Sequence, residues 1–151
     1  FPDYNADKKV GKKTWVVRLG RQKAVWGYGV IMAAVYISLL LGVLVGKLPT
    51  ITLIMALSLP LAIRAIQLAS KYYANSFDLA PANALTITGH LLAGLLLTLA
   101  YIWEGLGRSG LGYVVAFGIV SAAFTAYMYW NIERQMRIFH GLKASVSGGK
   151  S

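Results

Sequence analysis

The sequence has no cysteine, and only five acidic residues stand against fifteen lysines and arginines. Without thiols there is no disulfide framework and no thiolate metal site. With so few carboxylates there is no acid pair beside a histidine. Nor is there a G-x-S-x-G elbow or a glycine-rich phosphate loop. Charged residues make up 13% of the chain, hydrophobic ones 57%, and the mean hydropathy is +0.59. That balance excludes an ordinary soluble domain. The net charge of +10 suggests nucleic acid at first sight. The cations, however, lie almost entirely outside the apolar runs, which argues for topology rather than a nucleic-acid patch. The polar, basic opening also lacks the apolar core of a signal peptide.

What the chain does have is four apolar runs. They cover about 24–46, 48–69, 84–103 and 111–130, and roughly 20 residues suffice to cross the hydrocarbon core. The fold class predicted is all-α, a polytopic transmembrane helical bundle of four spans. Gly46–Pro49 and Glu104–Gly110 read as tight turns, and 70–83 as the one substantial loop. The tail 138–151, ending in SVSGGKS, reads as disordered.

Charge tests the span count. Four spans place 13 of the basic residues on one side, leaving only Lys47 and Arg108 on the other. The positive-inside rule then puts the N-terminus, the 70–83 loop and the C-terminus in the cytoplasm, in a multi-pass inner-membrane protein. Trp26, Tyr28, Tyr101, Trp103, Tyr127, Tyr129 and Trp130 fall at the run ends, where aromatic belts form.

The opening FPDYNADKKVGKKTWVVRLG carries two of the five acids, Asp3 and Asp7, one helical turn apart. Like charges at that spacing repel, and no basic residue stands three or four positions away to relieve them. A solvated helix start explains the pair simply. Beside clustered lysines at the mouth of membrane helices, the same pair suits Mg²⁺. That ion takes one or two carboxylates plus water and phosphate oxygens, and the lysines then meet phosphate.

Asp3-x3-Asp7-x3-Gly11-x2-Thr14, continuing WVVRLG, resembles the second aspartate-rich motif of the UbiA superfamily of intramembrane prenyltransferases. The likeness is greatest to quinone-type, 1,4-dihydroxy-2-naphthoate polyprenyltransferase-like members, and Lys8 and the GKKT at 11–14 fit it. The resemblance implies Mg-dependent transfer of an isoprenyl group from a polyprenyl diphosphate to an aromatic acceptor, menaquinone formation being the specific case. It implies Asp3 and Asp7 as catalytic metal ligands, Lys8 and Lys12 as diphosphate contacts, and Gly11 and Thr14 as shapers of the turn into the helix. The family's first aspartate motif is absent. A chain opening on Phe1 inside a motif therefore reads as the C-terminal part of a longer protein, its N-terminal helices missing, and inactive alone. Residues 1–137 would form that part of the prenyltransferase domain, with 111–130 a helix beyond the family's usual count.

Arg64, Gln67, Lys71, Asn75 and Asp78 recur at spacings of three or four, a polar stripe entering the second span. Snorkelling accounts for Arg64. The alternative makes Arg64 and Lys71 diphosphate contacts and Gln67 a pocket-lining residue, with Pro60 breaking the helix just before them. His90 reads as a structural hydrogen-bonding residue, Glu104 as solvated, Glu133–Arg137 as a surface pair and Gly42-x3-Gly46 as a small-residue packing pattern. A competing functional class is a non-catalytic four-helix scaffold or transporter fragment, whose basic N-terminus binds anionic lipid.

Overall fold

The computed structural model describes residues 3–76 and 78–148, with side chains as far as Ile138. Two short helices, α1 (Tyr4–Lys9) and α2 (Trp15–Leu19), lead into the long α3 (Arg21–Leu44). A 3₁₀ segment (Thr50–Ser58) runs directly into α4 (Leu59–Tyr72). Then come α5 (Ala80–Leu106), a 3₁₀ turn (Gly107–Gly110) and α6 (Leu111–Gly148).

Three continuous helical stretches among the described residues are long and apolar enough to cross a membrane: Arg21–Leu44, Thr50–Tyr72 and Ala80–Ile138. The last, at 59 residues, far exceeds the ~20 that a bilayer needs. It is a hairpin, because Leu79, Ala82 and Leu85 at its start share a core with Ile132 and Met136 near its end. The four runs are thus four helical arms. The all-helical architecture follows from lipid, where every backbone N–H and C=O must be satisfied internally.

Helix α5 is central, packing against the 3₁₀ segment, α4 and α6. The α4–α5 seam is built from small side chains: Ala62, Ala65 and Ala69 are buried on α4, and Ala82, Gly89 and Ala93 on α5. A Cβ on Gly89 would lie 3.4 Å from Leu61 Cβ. Such residues let membrane helices approach closely. The pattern expected to do this, Gly42-x3-Gly46, has another job. Gly42 accepts the N–H groups of Lys47 and Leu48 at 2.9 and 3.0 Å, and its bare Cα leaves room for the Leu48 side chain. It closes a turn rather than a helix–helix seam.

The second span is not uniformly α-helical. Pro49 precedes the 3₁₀ segment and Pro60 stands in the first turn of α4. Proline has no N–H and its ring opposes the carbonyl four residues back, so the bonding pattern changes there. Buried Thr52 and Ser58 donate their hydroxyls to Pro49 O and Met55 O, three residues back, at 2.6 and 2.7 Å. Thr88 and Ser121 donate to carbonyls four residues back in the α-helices. These four hydroxyls are thereby satisfied without water, whereas Thr125 Oγ1 is buried with no partner among the described residues.

Two boundaries differ from expectation. The 70–83 loop is shorter, since α4 continues to Tyr72 and α5 starts at Ala80, with a proline in its first turn. Helix α6 continues to Gly148, through the segment expected to be disordered. Leu, Lys and Ala in that stretch are good helix formers and extend a helix already nucleated. Residues 149–151 of that tail lie outside the described residues.

Candidate functional site at the N-terminal aspartate motif

Helix α1 places Asp3 at its N-cap and Asp7 one turn on, with Asp7 N–H donating to Asp3 O at 2.7 Å. The Asp3 side chain makes no capping hydrogen bond. Asp3 is exposed at the helix start, which matches the solvated helix start and also leaves its carboxylate open to a ligand.

The chain then turns at Gly11, φ 72°. Lys12 folds back so that its Nζ lies 3.4 Å from Asp7 Oδ1. Helical spacing offers Asp7 no counter-charge, but the turn supplies one. Its side chain is 17% exposed and that of Lys12 67%, so water screens the pair. Thr14 accepts the Val17 N–H at 3.4 Å and caps α2. Gly11 and Thr14 thus shape the entry to the helix, as expected.

A second connection runs through Arg21, the first residue of α3. Its guanidinium covers the Tyr4 ring, 4.6 Å from the centroid. It donates to Ala74 O and to Ser76 Oγ, the latter at 2.9 Å. Its Nε is buried with no partner among the described residues. In the sequence Arg21 stands only as one of the topological charges. A contact made across 53 to 55 residues leaves no local pattern to read.

Lys8 is exposed in the last turn of α1. Arg64, Gln67 and Lys71 are exposed along one face of α4, flanking the buried Leu61, Ala65 and Leu68. Lys71 Nζ sits over the Tyr72 ring at 5.2 Å. The stripe ends there as a helical feature, because Asn75 and Asp78 fall beyond α4. Neither Arg64 nor Lys71 pairs with Asp3 or Asp7 among the described residues. His90 is exposed and makes no hydrogen bond among them, contrary to the structural bond expected. Glu104 is exposed, and Glu133 makes no ion pair with Arg137; instead Arg134 lies over the Trp130 ring at 5.6 Å.

No group of three or more histidine or acidic side chains among the described residues could hold a metal ion. The donor set available to Mg²⁺ is the α1 carboxylate pair. That fits one side of a magnesium site whose remaining positions go to water and phosphate.

Two cavities adjoin these elements. One of about 380 Å³ lies at the same end, lined by apolar Tyr72, Pro81, Met128 and Met136 and by polar Asp78 and Asn131. The other, of about 520 Å³, runs between the second span, α5 and α6, with Leu57, Leu92, Leu96 and Thr125 in its wall.

No protein-family model matches the chain, and no solved structure matches it. The chain is 28% identical over 107 residues to 2-carboxy-1,4-naphthoquinone phytyltransferase from Synechocystis sp., an alignment covering 71% of this chain. It spans only about a third (35%) of that relative's length. Taken with the aspartate motif on α1, this similarity supports a UbiA-like relationship for the chain.

Proposed function

We propose that the chain forms part of an integral membrane prenyltransferase that moves an isoprenyl group from a polyprenyl diphosphate to an aromatic acceptor in quinone biosynthesis. The acceptor is a naphthoate, as in menaquinone formation. The observation that carries this reading is the carboxylate pair Asp3 and Asp7, one turn apart at the entrance to apolar helices, with Asp3 uncapped. The relative's own acceptor is a naphthoquinone by its name, which supports the choice of ring.

In this reading Asp3 and Asp7 hold Mg²⁺, which when bound neutralises charge gathering on the departing diphosphate. Lys8 and Lys12 contact diphosphate oxygens, and Lys12 exchanges Asp7 for phosphate as the donor arrives. Arg64 and Lys71 approach from α4, with Gln67 lining the pocket. The allylic C–O bond breaks with its electrons leaving on diphosphate. The allylic cation then bonds to a ring carbon, and the proton of that carbon passes to the released diphosphate. Apolar helix faces exclude water, which would otherwise capture the cation. The motif, the α4–α5 loop and the C-terminus face the cytoplasm. Further helices carrying the partner aspartate motif complete the metal site, and 35% coverage of the relative supports that division.

The test uses the full-length protein. Activity should require Mg²⁺, and Asp7→Asn should lower kcat by at least about a hundredfold while acceptor binding stays near wild type. Undiminished turnover in Asp7→Asn would refute the metal role.

A further inference from the structure

Helix α1 buries none of its six residues. The carboxylates it carries therefore have no apolar anchor on their own helix, and burial is what ordinarily fixes a short helix. The connections that hold it are polar or aromatic. One is the screened Lys12–Asp7 pair. The other is Tyr4, which lies between Asp3 and Asp7 in sequence and stacks under the Arg21 guanidinium.

Arg21 is well placed for a brace. It opens α3, so its backbone belongs to a 24-residue helix, and its guanidinium is half-buried. The flat face of the guanidinium takes the Tyr4 ring, while two of its nitrogens donate to Ala74 O and Ser76 Oγ. Only arginine offers a stacking face and a rigid fork at once. Three segments, α1, the start of α3 and the α4–α5 loop more than fifty residues on, are joined through one side chain.

We propose that Arg21 is a positioning residue that fixes the Asp3/Asp7 helix against the α4–α5 loop, and so holds the two carboxylates in register with the basic end of α4. Its functional arm rests on the prenyl-transfer reading; its structural arm does not. With the brace lost, α1 samples other orientations, and the diphosphate donor must organise it on binding. That cost falls on donor and metal affinity more than on the chemical step.

The experiment is amide hydrogen exchange on the full-length protein in nanodiscs, with steady-state kinetics on the same samples. Arg21→Ala should speed exchange in both 4–9 and 73–76 by about tenfold, with α5 unchanged. It should also raise donor KM about tenfold with kcat within about twofold. Arg21→Lys keeps the charge without the fork and should not restore protection. Tyr4→Leu, on a helix with no fully buried residue, should loosen 4–9 alone, whereas Tyr4→Phe should behave as wild type. Unchanged exchange in 4–9 on Arg21→Ala would overturn the brace. Faster exchange with an unchanged donor KM would overturn its positioning role in donor binding. Exchange is read without reference to chemistry. A fully active Asp7→Asn enzyme, which removes the prenyl-transfer reading, is therefore told apart from a protein in which Arg21 braces nothing.

Discussion

Lys12 Nζ and Asp7 Oδ1 stand 3.4 Å apart because Gly11, with φ 72°, turns the chain back on α1. Any other L-residue at position 11 would be strained in that conformation. Under the proposed function, lysine and metal compete for one carboxylate. With its lysine exposed, the pair is worth up to about 1 kcal/mol, so Lys12→Gln should lower the half-activating Mg²⁺ concentration by about two- to fivefold. Donor KM should rise in the same variant, since a phosphate contact goes with it. A magnesium titration and a donor titration check the two together; if neither moves, Lys12 is a bystander.

Gly42 and Leu48 test the turn between the first two spans. A Cβ on residue 42 would meet Leu48 Cδ1 at 2.6 Å. The obstructing atom is the end of a flexible side chain, so Gly42→Ala should cost about 1 kcal/mol rather than unfold the protein. Leu48→Ala should remove the clash, making the double variant more stable than the two single effects predict. Thermal unfolding in a fixed detergent measures the coupling.

Tyr28 and Thr86 tie α3 to α5, their hydroxyl oxygens 2.6 Å apart. Thr86 also donates to Ala82 O at 2.7 Å, so its own proton is already used and the tyrosine hydroxyl is the donor between them. Tyr28→Phe leaves the ring in place and removes one interhelical bond, about 0.6 kcal/mol by the average for membrane proteins. Tyr28→Ala should cost several times more, through lost packing. A ratio near one between the two would locate the contribution in the hydroxyl.

Topology is open to direct labelling, because the chain has no cysteine of its own to react. With the motif in the cytoplasm, Lys9→Cys and Lys71→Cys should react with an impermeant maleimide only after the membrane is opened. Lys47→Cys should react in intact cells. The reverse pattern would invert the orientation that the distribution of basic residues implies.

The four apolar arms were legible because lipid imposes so strict a rule on composition and length. The one-turn spacing of Asp3 and Asp7 was legible too, since α1 preserves it. Other features needed geometry that a sequence does not print. Lys12 reaches Asp7 through a left-handed glycine, outside the i,i+3 and i,i+4 spacings of a helix. Arg21 acts across more than fifty residues. Pro60 did mark the interruption in the second span, but the interruption takes the form of a nine-residue 3₁₀ segment upstream of it. The sequence suggests a small-residue seam at Gly42 and Gly46. It lies in the alanines of α4, which by composition alone pass as ordinary helix formers.

The 3₁₀ segment has a consequence for reach. At about 2.0 Å per residue its nine residues extend ~18 Å, where an α-helix would give ~13.5 Å. The second arm therefore crosses a given thickness of hydrocarbon with about three fewer residues. It carries Arg64, Gln67 and Lys71 deeper toward the headgroups than their distance from Pro49 along the chain implies. Straightening the segment into α-helix would shorten the arm and draw that polar face back into the lipid, where each charge is expensive.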